Sequence, residues 1–167
     1  MTVLVDFSTG RVPGSWAAVD DVVMGGVSSS RLEPGEGAAV FTGRVSLDRG
    51  GGFASVRGPV IDSDFSACAG IALRVRGDGH VYRLRLYDTG RFDGVAWQAR
   101  FPTSAGEWQT LELPFTGFEA SFRGRAVPDA RPLATGALRQ AGFMIAERQA
   151  GPFRLEVAWG RGIVDEH

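Results

Sequence analysis

"IALRVRGDGHVYRLRLYD", residues 71–88, decides the fold class. Ile71, Leu73 and Val75 alternate with Ala72, Arg74 and Arg76; after a Gly-Asp-Gly turn, Tyr82, Leu84 and Leu86 alternate with Arg83, Arg85 and Tyr87. A period of two sends successive side chains to opposite faces of a strand, so each run has one face for a core and one for water. The same period recurs on both sides: "VAWQARF" (Val95, Trp97, Ala99, Phe101), "QTLELPF" (Gln109, Leu111, Leu113), "AGFMIAE" (Ala141, Phe143, Ile145) and "FRLEVAW" (Phe153, Leu155, Val157, Trp159). With "VLVDF", "AAVFTGRVSL" and "FASVR" the chain offers about nine or ten strands, and only "DARPLATGALRQ" suggests a short helical turn. Turn chemistry separates the runs at "RVPGS", "LEPGEG", "RGGGF", "TSAGE" and "RQAGPF", and no linker or repeat of solenoid length interrupts them. Parallel pairing needs crossover helices that this pattern lacks, so the prediction is all-β: an antiparallel β-sandwich of jelly-roll type, one domain over residues 1–167.

The charge balance narrows the function classes. Eighteen basic and 19 acidic residues nearly cancel, which argues against a global field for nucleic acid or an anionic membrane. All 18 basic residues are arginine, so lysine Schiff-base and amine-nucleophile chemistry is excluded. Cys68 is alone: no internal disulfide and no thiolate cluster for zinc or iron–sulfur is available, and a reducing compartment is compatible. "MTVLVDFSTG" has neither the basic-then-apolar pattern of a secretion signal nor an arginine-rich organelle leader, and no stretch approaches the ~20 apolar residues of a membrane span. The expectation is a cytoplasmic protein with no membrane insertion, no nucleic-acid partner, no cofactor and no metal.

Two stretches are unusual for strand connections. "WAAVDDVVMGGVSSSRL", residues 16–32, combines the carboxylates of Asp20 and Asp21, the backbone amides around Gly25 and Gly26, and the hydroxyls of Ser28, Ser29 and Ser30. These are parts of a polar ligand site, and equally of a loop held rigid by its own side-chain to backbone bonds. A phosphate loop is excluded by the missing GK[ST] ending. In "FTGRVSLDRGGGFASVR", residues 41–57, three glycines precede Phe53; they suit a close approach of a ligand or a bulge at a sheet edge.

Together the two carry a resemblance. W-x2-V-D-D-x-V-M-G-G-x-S, then F-x-G-x-V-S-L and G-G-F-A-S-V-R, followed by "GEWQTLELPFTGFEASFRGR" and "AGFMIAERQAGPFRLEVAWGRG", resembles the complex I intermediate-associated protein 30 family from about residue 16 to 159. The resemblance implies a galactose-binding-like jelly roll and, in mitochondrial members, a non-catalytic role assisting assembly of respiratory complex I. It implies protein partners, respiratory complex subunits or assembly intermediates, and transfers no catalytic residue set. The matching positions are Trp16, Asp20, Asp21, Met24, Gly25, Gly26 and Ser28, then Gly51, Gly52, Phe53, Ala54, Ser55 and Arg57. The sequence differs from the assembly factors in having no leader and no long N-terminal extension, which makes the respiratory role one option among others for a bare domain.

Catalysis has few candidates. His80 sits in a turn and His167 is the final residue; neither has a G-x-S-x-G context for nucleophilic chemistry. Paired-carboxylate hydrolysis would draw on Asp20, Asp21, Asp88, Asp93 and Glu147, and needs two of them at a defined separation. Asp88 and Asp93 in "YDTGRFDG" are also the best oxygen donors for a structural calcium, although not at EF-hand spacing.

The outward positions of the central strands are Arg74, Arg76, Arg83, Arg85, Tyr87, Gln98 and Arg100. Gathered on one face, they would bind carboxylates, phosphates or acidic protein surfaces; alternatively they pair with acids such as Glu112 and Glu156. Within this set Arg83, Arg85, Tyr87 and Arg100 form a second candidate surface beside the loop residues. Trp97 and Trp159 fall on apolar faces and are expected in the core, whereas Trp16 and Trp108, at segment starts, suit stacking on a sugar ring or anchoring a partner. Three functions follow: a non-catalytic assembly or interaction module, a small-ligand module for carbohydrate, and a carboxylate hydrolase.

Overall fold

The computed structural model describes residues 2–20, 26–88, 95–122 and 125–164. Among them the strands are β1 (Val3–Asp6), β2 (Ala17–Ala18), β3 (Ser29–Pro34), β4 (Ala39–Val45), β5 (Ala54–Arg57), β6 (Cys68–Arg76), β7 (Val81–Asp88), β8 (Ala96–Pro102), β9 (Trp108–Pro114), β10 (Glu119–Phe122), β11 (Arg125–Ala126), β12 (Leu138–Ile145) and β13 (Gly151–Val164). One sheet runs β3-β4-β13-β6-β9 with β1 also on β13; the other runs β11-β10-β8-β7-β12-β5-β2. All these strand pairs are antiparallel. The helical turn expected in residues 129–140 is a 3-10 turn, Thr135–Ala137, joined by two others at Asp48–Gly50 and Phe115–Gly117.

The alternation read from residues 71–88 is obeyed: Ile71, Leu73, Val75, Tyr82, Leu84 and Leu86 are fully buried between the sheets. Aromatic rings fill the middle, with Phe41 4.9 Å from Phe153 and Tyr82 6.2 Å from Phe101. Each such ring removes roughly 150–250 Å² from water and dominates the local packing energy.

Consecutive strands β6 and β7 belong to different sheets, because Asp78 turns the chain across the sandwich. Its carboxylate accepts from the Tyr82 hydroxyl at 2.9 Å and, through the other oxygen, from the Arg154 amide at 2.7 Å, and lies 2.9 Å from His80 Nδ1. Burial works to raise this carboxyl, but hydrogen bonds from His80, Arg154 and Tyr82 outweigh it and hold Asp78 below the usual carboxylate range. Burial, reinforced by Asp78, pushes the Tyr82 phenol above its ordinary value.

Two expectations are corrected here. The seven outward residues do not share a face: Arg74 and Arg76 lie on the six-stranded sheet, and Arg83, Arg85, Tyr87, Gln98 and Arg100 on the seven-stranded one. Trp159 is half-buried rather than in the core, because a register shift between Val157 and Trp159 breaks the period of two. The bulge turns its ring out, opposite Arg74, where the Arg161 guanidinium covers it at 4.1 Å. Trp97 is 4% exposed and belongs to the core as expected.

Candidate functional site

The first candidate set comes together only in part. Asp21, Met24 and Gly25 lie outside the described residues, as do Asp93 and His167. The Asp20 carboxylate accepts from the Ser30 hydroxyl at 2.5 Å and the Ser55 amide at 3.1 Å. The Ser30 oxygen also lies 3.1 Å from the Ser55 carbonyl, which accepts from the Val19 amide at 2.8 Å, and the Ser55 hydroxyl donates to the Val19 carbonyl. Asp20 therefore ties β3 of one sheet to β5 of the other. Ser28, buried, accepts from the Ser46 amide at 2.9 Å. Gly26 and Gly51 are buried, Gly52 has φ +149°, and Gly51, Gly52 and Phe53 lead into β5, which ends at Arg57.

Trp16 belongs to the packing of this edge. Its ring meets Phe7 edge-on at 5.7 Å and stacks on Phe143 at 6.0 Å. A Cβ on Gly58 would stand 2.7 Å from that ring, so the close approach requires glycine there.

Arg57 leaves the first set and joins the second on the outer face of the seven-stranded sheet. Register pairs Gln98 with Arg85, Arg85 with Gly142, and Gly142 with Arg57, making one row across β8, β7, β12 and β5. The next row holds Arg100, Arg83, Met144 and Ser55. The Arg57 guanidinium covers the Tyr87 ring at 3.9 Å from its centroid and that of Arg85 lies at 5.7 Å. Glu147, in a left-handed conformation at the rim, receives Arg100 Nε at 2.9 Å and lies 3.7 Å from Arg83. Arg57 and Arg85 have no carboxylate partner among the described residues, and the Nε of each is enclosed without an acceptor. Gly142 and Met144 were readable as outward positions of "AGFMIAE"; their place between two arginine strands required the register.

The described carboxylates considered for hydrolysis, Asp20, Asp88 and Glu147, stand in separate places with separate partners. Asp88 receives both terminal nitrogens of Arg131 at 2.8 Å and the Ala134 amide at 2.8 Å, while Asp20 serves Ser30 and Ser55 and Glu147 serves the rim arginines. Among the described residues no group of three or more His, Cys, Asp or Glu is placed to hold a metal ion, and no helix is long and apolar enough to cross a membrane. Beside Asp88, a cleft of about 620 Å³ opens against Trp97, Phe115 and Phe118, with Arg131 over the Trp97 ring at 4.7 Å. Trp108 is half-buried under Arg74 and Arg76, at 5.6 and 5.1 Å.

Among solved structures, the family 11 carbohydrate-binding module from Clostridium thermocellum, in complex with a beta-1,3-1,4-mixed-linked tetrasaccharide, superposes with TM-score 0.71 at 20% identity, covering 99% of this chain and 98% of that one. The agarase AgWH50C matches with TM-score 0.60 at 13% identity, over 97% of this chain and 26% of the agarase. Both likenesses concern the fold alone, and that fold is the antiparallel, galactose-binding-like β-sandwich expected. Among curated proteins, "Complex I intermediate-associated protein 30, mitochondrial" of Drosophila melanogaster is 27% identical over 93% of this chain, and that of Mus musculus 29% identical over 56%. The chain spans 60% of the fly protein's length and 30% of the mouse protein's. These mitochondrial relatives overturn the cytoplasmic expectation, which rested on a leader being unreadable in the first residues. The model of the complex I intermediate-associated protein 30 family matches residues 5–157, and the chain belongs to that family.

Proposed function

We propose that this chain, one β-sandwich domain over residues 1–167, is a non-catalytic interaction module that assists assembly of a multisubunit complex, respiratory complex I by kinship with its relatives. One observation carries the reading: the outer face of the seven-stranded sheet presents Arg57, Arg83, Arg85 and Arg100 together, two of them without a carboxylate among the described residues. Such a face suits an acidic surface on a partner, because guanidinium forks recognise carboxylates bidentately and steer association. In this reading Trp16, Asp20, Gly26, Ser28, Gly51, Gly52, Phe53 and Ser55 build the edge that delivers Arg57, and Asp21, Met24 and Gly25, outside the described residues, belong to the same sequence motif. The test is affinity capture from native cell extract with the wild-type chain and with Arg83→Glu/Arg100→Glu, both checked for folding. Respiratory complex subunits recovered by the wild type and lost from the variant are expected. Their absence from the wild-type capture overturns the assembly reading, and equal recovery by both removes this face from it.

A second reading, a small-ligand module, is supported by the cleft beside Trp97, Phe115 and Phe118. The sheet face itself suits a neutral sugar poorly, since Tyr87 is already covered by Arg57. A glycan and metabolite screen that reports binding lost on Phe118→Ala is the outcome this reading expects.

A further inference from the structure

The middle of the arginine face is a covered glycine: Gly142 is buried, and the Arg57 guanidinium reaches past its strand to the Tyr87 ring. Gly142 lies between Arg85 and Arg57 in the same row, on the strand that separates theirs, so a position without a side chain is flanked by two long cations. Adjacent strands are about 4.8 Å apart, which puts the two arginine backbones about 10 Å from each other across that strand. Both guanidiniums lean over the Tyr87 ring, and Arg83 stands in the next row beside Met144. The edge nitrogen of each flanking arginine is closed off from water and lacks a protein acceptor. Burial, reinforced by the positive charges of Arg57 and Arg83, pulls Arg85 below the ordinary guanidinium range, although it stays a cation. Like charges are thus concentrated where desolvation penalises them, and the one described carboxylate in contact with the group, Glu147, is taken by Arg100 and Arg83.

We propose that the paired guanidiniums of Arg57 and Arg85, above Gly142 and Tyr87, are a binding site for a doubly charged oxyanion, a phosphoryl or sulfuryl group. This rests on the reading that the outer face is the chain's binding surface. Two guanidiniums without a carboxylate among the described residues match two negative charges, and with each Nε closed off the terminal Nη nitrogens donate to the oxygens of the group. Arg83 supplies a third cation from the adjacent row. The group comes either as the free ion or as a monoester on a small molecule.

The experiment is calorimetric titration of the purified chain at low salt with inorganic phosphate, sulfate, phenyl phosphate and acetate, repeated on Arg57→Gln, Arg85→Gln, Arg57→Lys and, from the other sheet, Arg154→Gln. Saturable binding of phosphate or phenyl phosphate is expected, weakened at least tenfold by Arg57→Gln and by Arg85→Gln and unchanged by Arg154→Gln. Arg57→Lys, which keeps the charge but loses the fork, weakens it as well and guards against misfolding of the glutamine variants. Arginine Nε–Hε resonances, followed in the same titrations, shift at Arg57 and Arg85. A monoester preferred over inorganic phosphate identifies a ligand-borne group, and the reverse preference the free ion. Phenyl phosphate binding weakens as pH falls through the second phosphate pKa of about 6. Absence of saturation, acetate bound as tightly as phosphate, or equal weakening by Arg154→Gln overturns the proposal. No partner protein is in the cell, so this result and the capture result fail independently.

Discussion

The two outer faces of the sandwich carry arginine in opposite ways. On the six-stranded sheet, Arg76 grips Glu156 through Nε at 2.5 Å and Nη2 at 3.0 Å, Arg74 donates to Thr110 at 3.2 Å, and the exposed sides of Trp108 and Trp159 lie under guanidiniums. On the seven-stranded sheet, Arg57 and Arg85 share one tyrosine ring and no carboxylate among the described residues. On the first face Arg76 has its carboxylate within the fold, and Arg74 and Arg161 rest on a hydroxyl and on tryptophan rings. The second leaves Arg57 and Arg85 without a carboxylate among the described residues, the feature on which the proposed binding surface rests.

Removing the glutamate of the six-stranded face tests this most severely. Glu156→Ala leaves Arg76 facing a half-buried site without its carboxylate, and a loss of about 2–3 kcal/mol is expected in urea unfolding. The Arg76 hydrogen bond, working against burial, holds the Glu156 carboxyl below its usual value. The folded state therefore releases this proton more readily than the unfolded one; the stabilisation is complete above the ordinary glutamate range and disappears as pH falls through the lowered value. Glu156→Gln should flatten that part of the acid limb of a stability-versus-pH curve. On the edge between the faces, Asp20→Ala removes acceptors from Ser30 and from the Ser55 amide, and a loss of about 1–2 kcal/mol is expected from the same measurement.

The seven-stranded face should respond with the other sign. Arg85→Leu removes a desolvated cation from beside two others and leaves stability between unchanged and about 1 kcal/mol higher. A loss comparable to that of Glu156→Ala would break the comparison. The smallest effect is that of salt: raising ionic strength screens the repulsion among Arg57, Arg83 and Arg85 and should raise stability by up to about 0.5 kcal/mol, an increment absent from Arg85→Leu.

Much of this was readable in the residues. Period-two runs located nine of the strands and nearly all of the inward-facing side chains, because alternation is a direct image of burial. The strands missed were those whose sequences do not alternate: β3, "SSRLEP", lies at a sheet edge with partly exposed residues, and β2, β10 and β11 are short. Periodicity also carries no information about which sheet a strand joins. Arg76 and Arg83 are separated by one short turn, yet Asp78 sends them to opposite sides of the molecule. Trp159 was misplaced because a single extra residue in a bulge inverts every position after it. For the candidate site, the arginines and Tyr87 were visible as outward positions, and Arg57 through the family motif. That Arg57 lies across Gly142 from Arg85 depends on pairings between segments far apart in the chain.

Strand β13 has a consequence for how the protein is made. It runs through the middle of the six-stranded sheet, holding β4, β6 and β1 at once, and the partner of Val3 is Arg161. On the ribosome β1, made long before β13, must wait for this late strand before it can hydrogen-bond in the sheet, and until then both β4 and β6 carry an open edge. Contacts so distant in sequence make for slow closure and prolonged exposure of apolar strand faces. Biogenesis of this fold is thus governed by the arrival of its late strand, and a nascent chain stalled before residue 151 should remain without the six-stranded sheet.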